Sequence, residues 1–337
     1  MLNTSPLGYL SSTDSPIQNH ICMLPCGGLL AGDKQSWNAA DLQPYVSYMI
    51  NGKGIDRMFG GFIFNSISIR EGYFIYPLYV GFGKPADHID WLQWIEALFA
   101  PEQNFQALLL TSPKSPLDVW VSIPYPYPPQ DNFGVIENQN LNFKSDDHRY
   151  IAVTWWIDRF LDRWKAETSL HSKLNFRGFH WQREAIDPYD AELVKRVNGY
   201  IRTKGLYSMW LPNYGSYGVT TWKELGFDVT AINPNYYGNT SYDYQWITYA
   251  SHFSKFYHTG LQITFGKGLL YSDTHLLDYL NLGLPEKNNY MKESIIVYQF
   301  PNQIMKEIYQ TRFVDYIRLY TFIRGLYTKI SYPEIKY

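Results

Sequence analysis

Cysteine is nearly absent: the 337 residues include two, Cys22 and Cys26. They are close together on an apparent strand and have no companion ligands. That spacing disfavours a disulfide or a metal clamp and favours buried free thiols. Long apolar runs are missing too, so no membrane span is expected. Residues 1–19 lack a basic segment followed by an apolar one, and no signal peptide is visible. Location stays open: cytoplasmic, or exported with the leader absent from this sequence. Neither sign of charge dominates, with 29 basic and 31 acidic side chains and a net charge of −2. That balance speaks against nucleic acid and anionic membranes as partners. The eight histidines show no close paired spacing, so no metal is expected. Gly27-Gly28 and Gly60-Gly61 lack the Gly-Lys-Ser/Thr ending of a phosphate loop, and no other cofactor is called for. A Gly-x-Ser-x-Gly elbow is also missing, which counts against an esterase.

Aromatic side chains are what the chain has in excess. They make up 18% of it, with 30 Tyr and 11 Trp. Hydrophobic residues at 45% can bury a large core. Trp120, Trp155, Trp156 and Trp164 are expected there. Tyrosine in such number also suits a wet groove, because its ring is apolar and its tip is not.

The most informative stretch is Phe176–Tyr237. Phe-Arg-Gly-Phe-His-Trp-Gln-Arg-Glu is followed by a helical run and then Tyr-Ser-Met-Trp-Leu-Pro-Asn-Tyr-Gly. A shorter helical run precedes Asp-Val-Thr-Ala-Ile-Asn-Pro-Asn-Tyr-Tyr-Gly. Strands alternating with helices imply a parallel sheet. Each strand ends in polar and aromatic residues, which is where (β/α)₈ barrels keep their chemistry. Eight strands are predicted: Ile21–Leu24, Arg57–Ile69, Asp118–Pro124, Phe176–Trp181, Leu206–Leu211, Asp228–Ile232, Leu261–Phe265 and Ser294–Phe300. Helices are predicted over Ala40–Ile50, Ala86–Ala100, Asp147–Ser169, Asp187–Lys204, Thr220–Leu225, Tyr242–His258 and Gln303–Lys329. Tyr125-Pro-Tyr-Pro-Pro must be extended without being a central strand, and Gln130–Lys144 reads as a polar loop. The expected organisation is an irregular arm over 1–19 and one α/β barrel of the TIM type over 20–330.

Polar groups interleaved with Trp and Tyr at strand ends suit a sugar. On this basis His180, Trp181, Asn213, Tyr214, Asn233, Asn235 and Tyr236 are the expected substrate-binding residues. For His180 a packed place inside the barrel is the competing reading. Glycosidic cleavage normally uses two carboxyl groups, about 5–5.5 Å apart in retaining enzymes and about 6.5–9.5 Å in inverting ones. Glu184 is the candidate acid, desolvated by aromatic neighbours. Its alternatives are a helix-start carboxylate or a partner for Arg183. Asp273 is the first candidate for the second catalytic carboxyl, against a competing role as N-cap of a helix starting near Thr274. Asp33 and Glu137 follow.

Several motifs carry a family likeness. They are Met58-Phe-Gly-Gly-Phe-Ile-Phe, Ser122-Ile-Pro-Tyr-Pro, Trp156-Ile-Asp-Arg-Phe-Leu-Asp-Arg-Trp, Arg177-Gly-Phe-His-Trp-Gln-Arg-Glu, Trp222-Lys-Glu-Leu-Gly-Phe-Asp and Asn233-Pro-Asn-Tyr. Together they resemble the domain-of-unknown-function family 4855, grouped with glycoside-hydrolase-like barrels. The resemblance implies a sugar-processing barrel. It also marks departures: Gly60 stands where the family pattern has Asp, Gln262 and Thr264 stand where it has Glu, and Glu184 matches its acidic position. Two functions are therefore expected to compete. One is hydrolysis of a polysaccharide or oligosaccharide. The other is non-catalytic glycan binding. A substrate-assisted route, with Asn213, Tyr214, Asn235 and Tyr236 orienting an N-acetyl group, needs fewer carboxylates.

Overall fold

The computed structural model describes residues 6–14, 17–29 and 33–330. Eight parallel strands close into a barrel. They are β1 His20–Cys26, β2 Gly61–Ser66, β3 Leu117–Ile123, β4 Leu174–Trp181, β5 Tyr207–Trp210, β6 Val229–Ile232, β7 Gly260–Thr264 and β8 Ile296–Gln299. Neighbours in sequence are neighbours in the sheet, and β1 pairs with both β2 and β8. The outer layer contains α1 Ala39–Val46, α2 His88–Leu98, α3 Asn104–Leu110, α4 Asp146–Ala166, α5 Pro188–Thr203, α6 Gln245–Tyr257, α7 His275–Leu282, α8 Tyr290–Glu293, α9 Met305–Thr311 and α10 Phe313–Ile323. The eight-strand TIM barrel expected from alternation is the fold observed. Cys22 and Cys26 are buried free thiols.

Local sequence explains where elements begin. Helix α2 opens on a capping box in which Asp87 accepts from Ile89 and Asp90 and Asp90 answers to the Asp87 backbone. In α5, Pro188 occupies the first turn, where no N–H is needed. The β4 strand carries a register shift between Phe176 and Gly178, and Gly178 adopts φ +152.

Several boundaries differ from expectation. Arg57–Ile69 is not one strand. Lys53–Arg57 pairs with Ser47–Ile50 in a hairpin outside the barrel, and Ser68–Arg70 turns into a small sheet with Tyr73–Phe74. The same hairpin ends α1 at Val46, where a helix to Ile50 was expected. The closing helix breaks at Arg312 into α9 and α10. Thr220–Leu225 shrinks to one 3₁₀ turn over Val219–Thr221. The loop Gln130–Lys144 contains a hairpin of Gly134–Ile136 with Gln139–Leu141. Helices α3 and α8 were not foreseen, and α7 is the helix expected to start near Thr274. α7 is buried along its whole length, so its sequence shows no polar stripe to mark a helical period.

The arm has no regular element in its described part, yet it is packed. Leu10 exchanges backbone hydrogen bonds with Thr259 and Ile295 at the entry to β7 and β8. The Tyr9 hydroxyl donates to the Asn288 carbonyl at 2.9 Å. The arm therefore covers the N-terminal end of the barrel, opposite the strand ends.

Two glycines predict opposite outcomes. A Cβ at Gly178 would lie 1.8 Å from the Tyr207 carbonyl oxygen. Gly178→Ala should cost about 2–5 kcal/mol from clash and backbone strain. Gly199, inside α5, has nothing within 4 Å of a Cβ. Gly199→Ala should stabilise by about 0.5–1 kcal/mol through helix propensity. Urea unfolding midpoints at unchanged slope check both.

Candidate active site

Side-chain alternation sorts the barrel wall into inner and outer faces. Phe64 packs edge-on against Phe105 of α3, and Phe179 against Trp156 and Phe160 of α4. Phe300 meets Tyr45 of α1. These residues point outward. Asn65, His180 and Gln299 therefore point to the axis, as do Ser122, paired with His180, and Thr264, paired with Gln299. Strand pairing ends at Trp181; Gln182 stays on the inner wall through its bond to Asn65 at 3.0 Å, and the chain bends at Glu184. Arg183 takes the outer side.

Glu184 sits half-buried at the mouth. The Tyr76 hydroxyl donates to its Oε1, and its main-chain carbonyl accepts from the Ser216 hydroxyl at 2.9 Å. Burial pushes its carboxyl up to about 7, partly offset by its own backbone N–H. No charged side chain contributes to that shift. Tyr76 lies edge-on to Tyr79 at 5.2 Å, and Tyr237 edge-on to Tyr271 at 5.4 Å. Burial, and then the charge of Glu184, raise the Tyr237 phenol. Burial pushes Tyr271 up to about 12, with Tyr237 and Tyr79 adding to it. Glu184 is thus flanked by phenols from the loops after β2, β6 and β7.

On the outer side of the β4 end lies a cleft of about 350 Å³ lined by Pro77, Leu78, Tyr125, Tyr127, Pro128, Pro129, Arg183 and Tyr189. It shares a wall with the mouth, because Pro77 follows Tyr76 and Arg183 precedes Glu184. The Tyr-Pro-Tyr-Pro-Pro segment supplies one side. It is held by Arg149, whose Nε donates to the Pro126 carbonyl at 3.0 Å and whose Nη2 meets Asp190 at 2.5 Å. Arg183 pairs with Asp187 at 2.6 Å and Asp190 at 2.8 Å, and donates to the Tyr189 hydroxyl at 2.8 Å. Arg183 is therefore no partner of Glu184.

The expected binding residues divide. Asn213 and Asn233 extend β5 and β6 by one parallel bridge and reach the mouth together. Asn235 follows at φ +56, its backbone N–H bonded to the Asn233 side chain at 2.9 Å, and its own side chain accepts from the Tyr237 hydroxyl at 2.9 Å. Three others require correction. Trp181 is 2% exposed and faces outward against Tyr125, because it shares the face of Phe179. The Tyr214 ring packs on Trp246 and Phe253 of α6. Tyr236 is buried and donates to Asp278 of α7 at 2.5 Å; its neighbour Tyr237 is the one beside Glu184. His180 is 2% exposed inside the barrel, and burial holds its imidazole down at about 3.

The carboxylate positions also need revision. Asp273 is exposed and does not cap α7, whose N-cap is Thr274 without a side-chain bond. Its loop touches the mouth through Ser272, whose N–H donates to the Tyr237 carbonyl at 3.0 Å. Asp33 packs over Gly28, and burial, then the charge of Asp33, raises the phenol of Tyr79. Glu137 lies exposed in the hairpin turn. Gly60 precedes β2, at the barrel's far end, where a Cβ would meet the Arg57 guanidinium at 1.9 Å. An acid there would not face Glu184. Gln262 and Thr264 do face the axis, and Gln262 accepts from Gln299 at 2.6 Å. Tyr76, Tyr79, Tyr271 and Gln182 escaped the sequence reading. Only Gln182 left a signal, as the middle of the alternating His-x-Gln-x-Glu. Among the described residues no group of three or more His, Cys, Asp or Glu is placed to hold a metal, and no helix is long and apolar enough to cross a membrane.

A family model described as "Domain of unknown function (DUF4855)" matches residues 28–320. No curated protein matches the chain. Among solved structures, tryptophan synthase α-subunits from Pyrococcus furiosus share the barrel at low identity. One point mutant of that subunit is 11% identical with a TM-score of 0.43, and a second is 9% identical with 0.42. Both alignments cover 92% of this chain and 98% of the other.

The raised Glu184 carboxyl makes a stability prediction. As pH rises from about 4.5 to about 7, the unfolded chain releases this proton first, so this group makes folding progressively less favourable. Glu184→Gln removes that contribution. The variant should gain about 1–3 kcal/mol over the wild type above pH 7, after allowing for partial solvent contact, and nothing below pH 4.5. Denaturant titrations across that pH range check it. An unchanged pH profile would remove the shift.

Proposed function

The chain belongs to the DUF4855 family, and we propose that in this member the barrel mouth hydrolyses a glycosidic bond of a polysaccharide or oligosaccharide with Glu184 as general acid. One observation carries the reading. A single carboxyl, raised to about 7 by burial, sits at the barrel mouth under a phenol donor and beside an aromatic cleft. A general acid works best when its pKa lies near the working pH, since it must be protonated and still able to give the proton up. Tyr76 orients the carboxyl toward the leaving oxygen. Tyr237 and Tyr271 give the sugar ring apolar faces, and Asn213, Asn233 and Asn235 offer amides to its hydroxyls. Asp273, on the rim beside Tyr237, is the partner carboxyl that activates water, with Asp33 the alternative. The tryptophan synthase likeness contributes no chemistry, because it extends to the fold alone.

A second reading, glycan binding without turnover, is favoured by one observation: no carboxylate acts on the Glu184 shift. The two separate on one paired measurement. If the acid role holds, Glu184→Gln keeps glycan affinity and lowers kcat by about 10²–10⁴-fold. Wild-type activity then falls as pH rises above about 7, where Glu184 loses its proton. Asp273→Asn should remove the acidic limb of the profile. Turnover that survives Glu184→Gln excludes it as the acid. A wild type that binds a glycan and cleaves no linkage supports the binding barrel.

A further inference from the structure

We infer that the sugar seated beneath Glu184 is uncharged, and that a floor of neutral side chains, chiefly Gln182 and Thr264 with His180 below them, reads its hydroxyls. The inference rests on the carbohydrate reading above and adds the substrate class.

Three atoms motivate it. Gln182 Oε1, His180 Nδ1 and Thr264 Oγ1 are buried and have no hydrogen-bond partner among the described residues. Their residues are 2–3% exposed. Unpaired buried polar groups are costly, and folded proteins nearly always satisfy them. All three lie on the inner wall. His180 and Thr264 are placed there by strand register, and Gln182 by its bond to inward-facing Asn65 at 3.0 Å. That bond, with a second from the same nitrogen to the Ser66 carbonyl, uses the Gln182 amide N–H groups and turns its oxygen free. β4 and β7 lie on different sides of the closed sheet, with β5 and β6 between them. Acceptors and a hydroxyl therefore lie along the axis from two walls.

No charge is offered at this level. Asn65, Ser122, Gln262, Thr264 and Gln299 are further polar side chains of the inner wall, all neutral amides or hydroxyls, beside apolar Pro25 and Met209. His180 is held neutral by burial. The nearest cation in the chain, Arg183, turns outward and is consumed by Asp187 and Asp190. A uronic carboxylate would lose its hydration here without a cation to replace it, and an ammonium would lose its own without an anion. A pyranose hydroxyl both donates and accepts, which is what an amide oxygen, a hydroxyl and a neutral imidazole can satisfy together.

The test uses the full chain on a glycan array with three arms. They are neutral gluco-, manno-, galacto- and N-acetylglucosamine oligosaccharides, uronic-acid oligosaccharides, and chitosan oligosaccharides. The best neutral hit is then titrated calorimetrically against Thr264→Val and Gln182→Leu. Thr264→Val keeps shape and removes a hydroxyl that has no partner among the described residues, so it covers the case in which Gln182→Leu fails to fold. We expect binding in the neutral arm and about three- to tenfold weaker affinity for Thr264→Val, the effect of one lost hydrogen bond. Tighter binding in either charged arm overturns the inference, as does unchanged affinity in both variants, which would leave these atoms to buried water. A neutral glycan bound but never cleaved sinks the hydrolase reading and leaves this one standing. Glu184-dependent cleavage of a uronic-acid chain does the reverse.

Discussion

The mouth depends on one buried carboxylate, that of Asp190 in the first turn of α5. It is fully buried and takes donors from three directions: Arg149 of α4, Arg183 after β4 and the Tyr125 hydroxyl after β3. Removing both arginines would leave a buried charge uncompensated, at about 3–5 kcal/mol. The same Arg149 fixes the Pro126 carbonyl, so two loops and two helices are set by one group. Arg183 must reach outward to join it. Glu184, the next residue, turns at a bend to meet the Tyr76 hydroxyl at the mouth.

Glu184 is buried without an ion pair, and its carboxyl is pushed up. Asp190 is surrounded by cations and hydroxyls. Glu184 has aromatic neighbours and one phenol, and its carboxyl rises. Two acids close together in the chain thus have separate jobs because their surroundings differ. The inner wall below extends the contrast: β2, β3, β4, β7 and β8 bring amides and hydroxyls to the axis near the mouth, whereas Asp118 and Arg177 pair at 2.8 Å near the strand starts. An ion pair lies at the strand starts, and neutral polar groups line the inner wall nearer the mouth.

The departures from the family pattern take on different weights in this setting. Gly60 lies among Arg57 and Gln18 at the base, and the lack of an acid there says nothing about the mouth. Gln262 and Thr264 lie on the axis, where the acids that the resemblance implies for the family would face the site.

The sequence by itself determined the barrel. Strand and helix periods are local, and eight apolar strands alternating with helices leave few ways to bury both faces of a parallel sheet. It also determined that Glu184, Asn213 and Asn233 stand just past strands four, five and six, since chain order and strand ends are readable without contacts. It did not determine which of two neighbouring residues faces the barrel mouth. Trp181 against Gln182 and Tyr236 against Tyr237 differ by one residue, and one residue in an extended chain is the difference between the axis and the helices. Nor could it bring Tyr76 to Glu184, 108 residues apart in the chain. Tyr76 sits in the long excursion between β2 and α2, and that excursion has no period to read. Those two choices belong to tertiary structure, because they are made by long-range packing: the pull of Asp190 on Arg183, and the closing of the barrel that sets the loops after β2, β6 and β7 around one carboxyl.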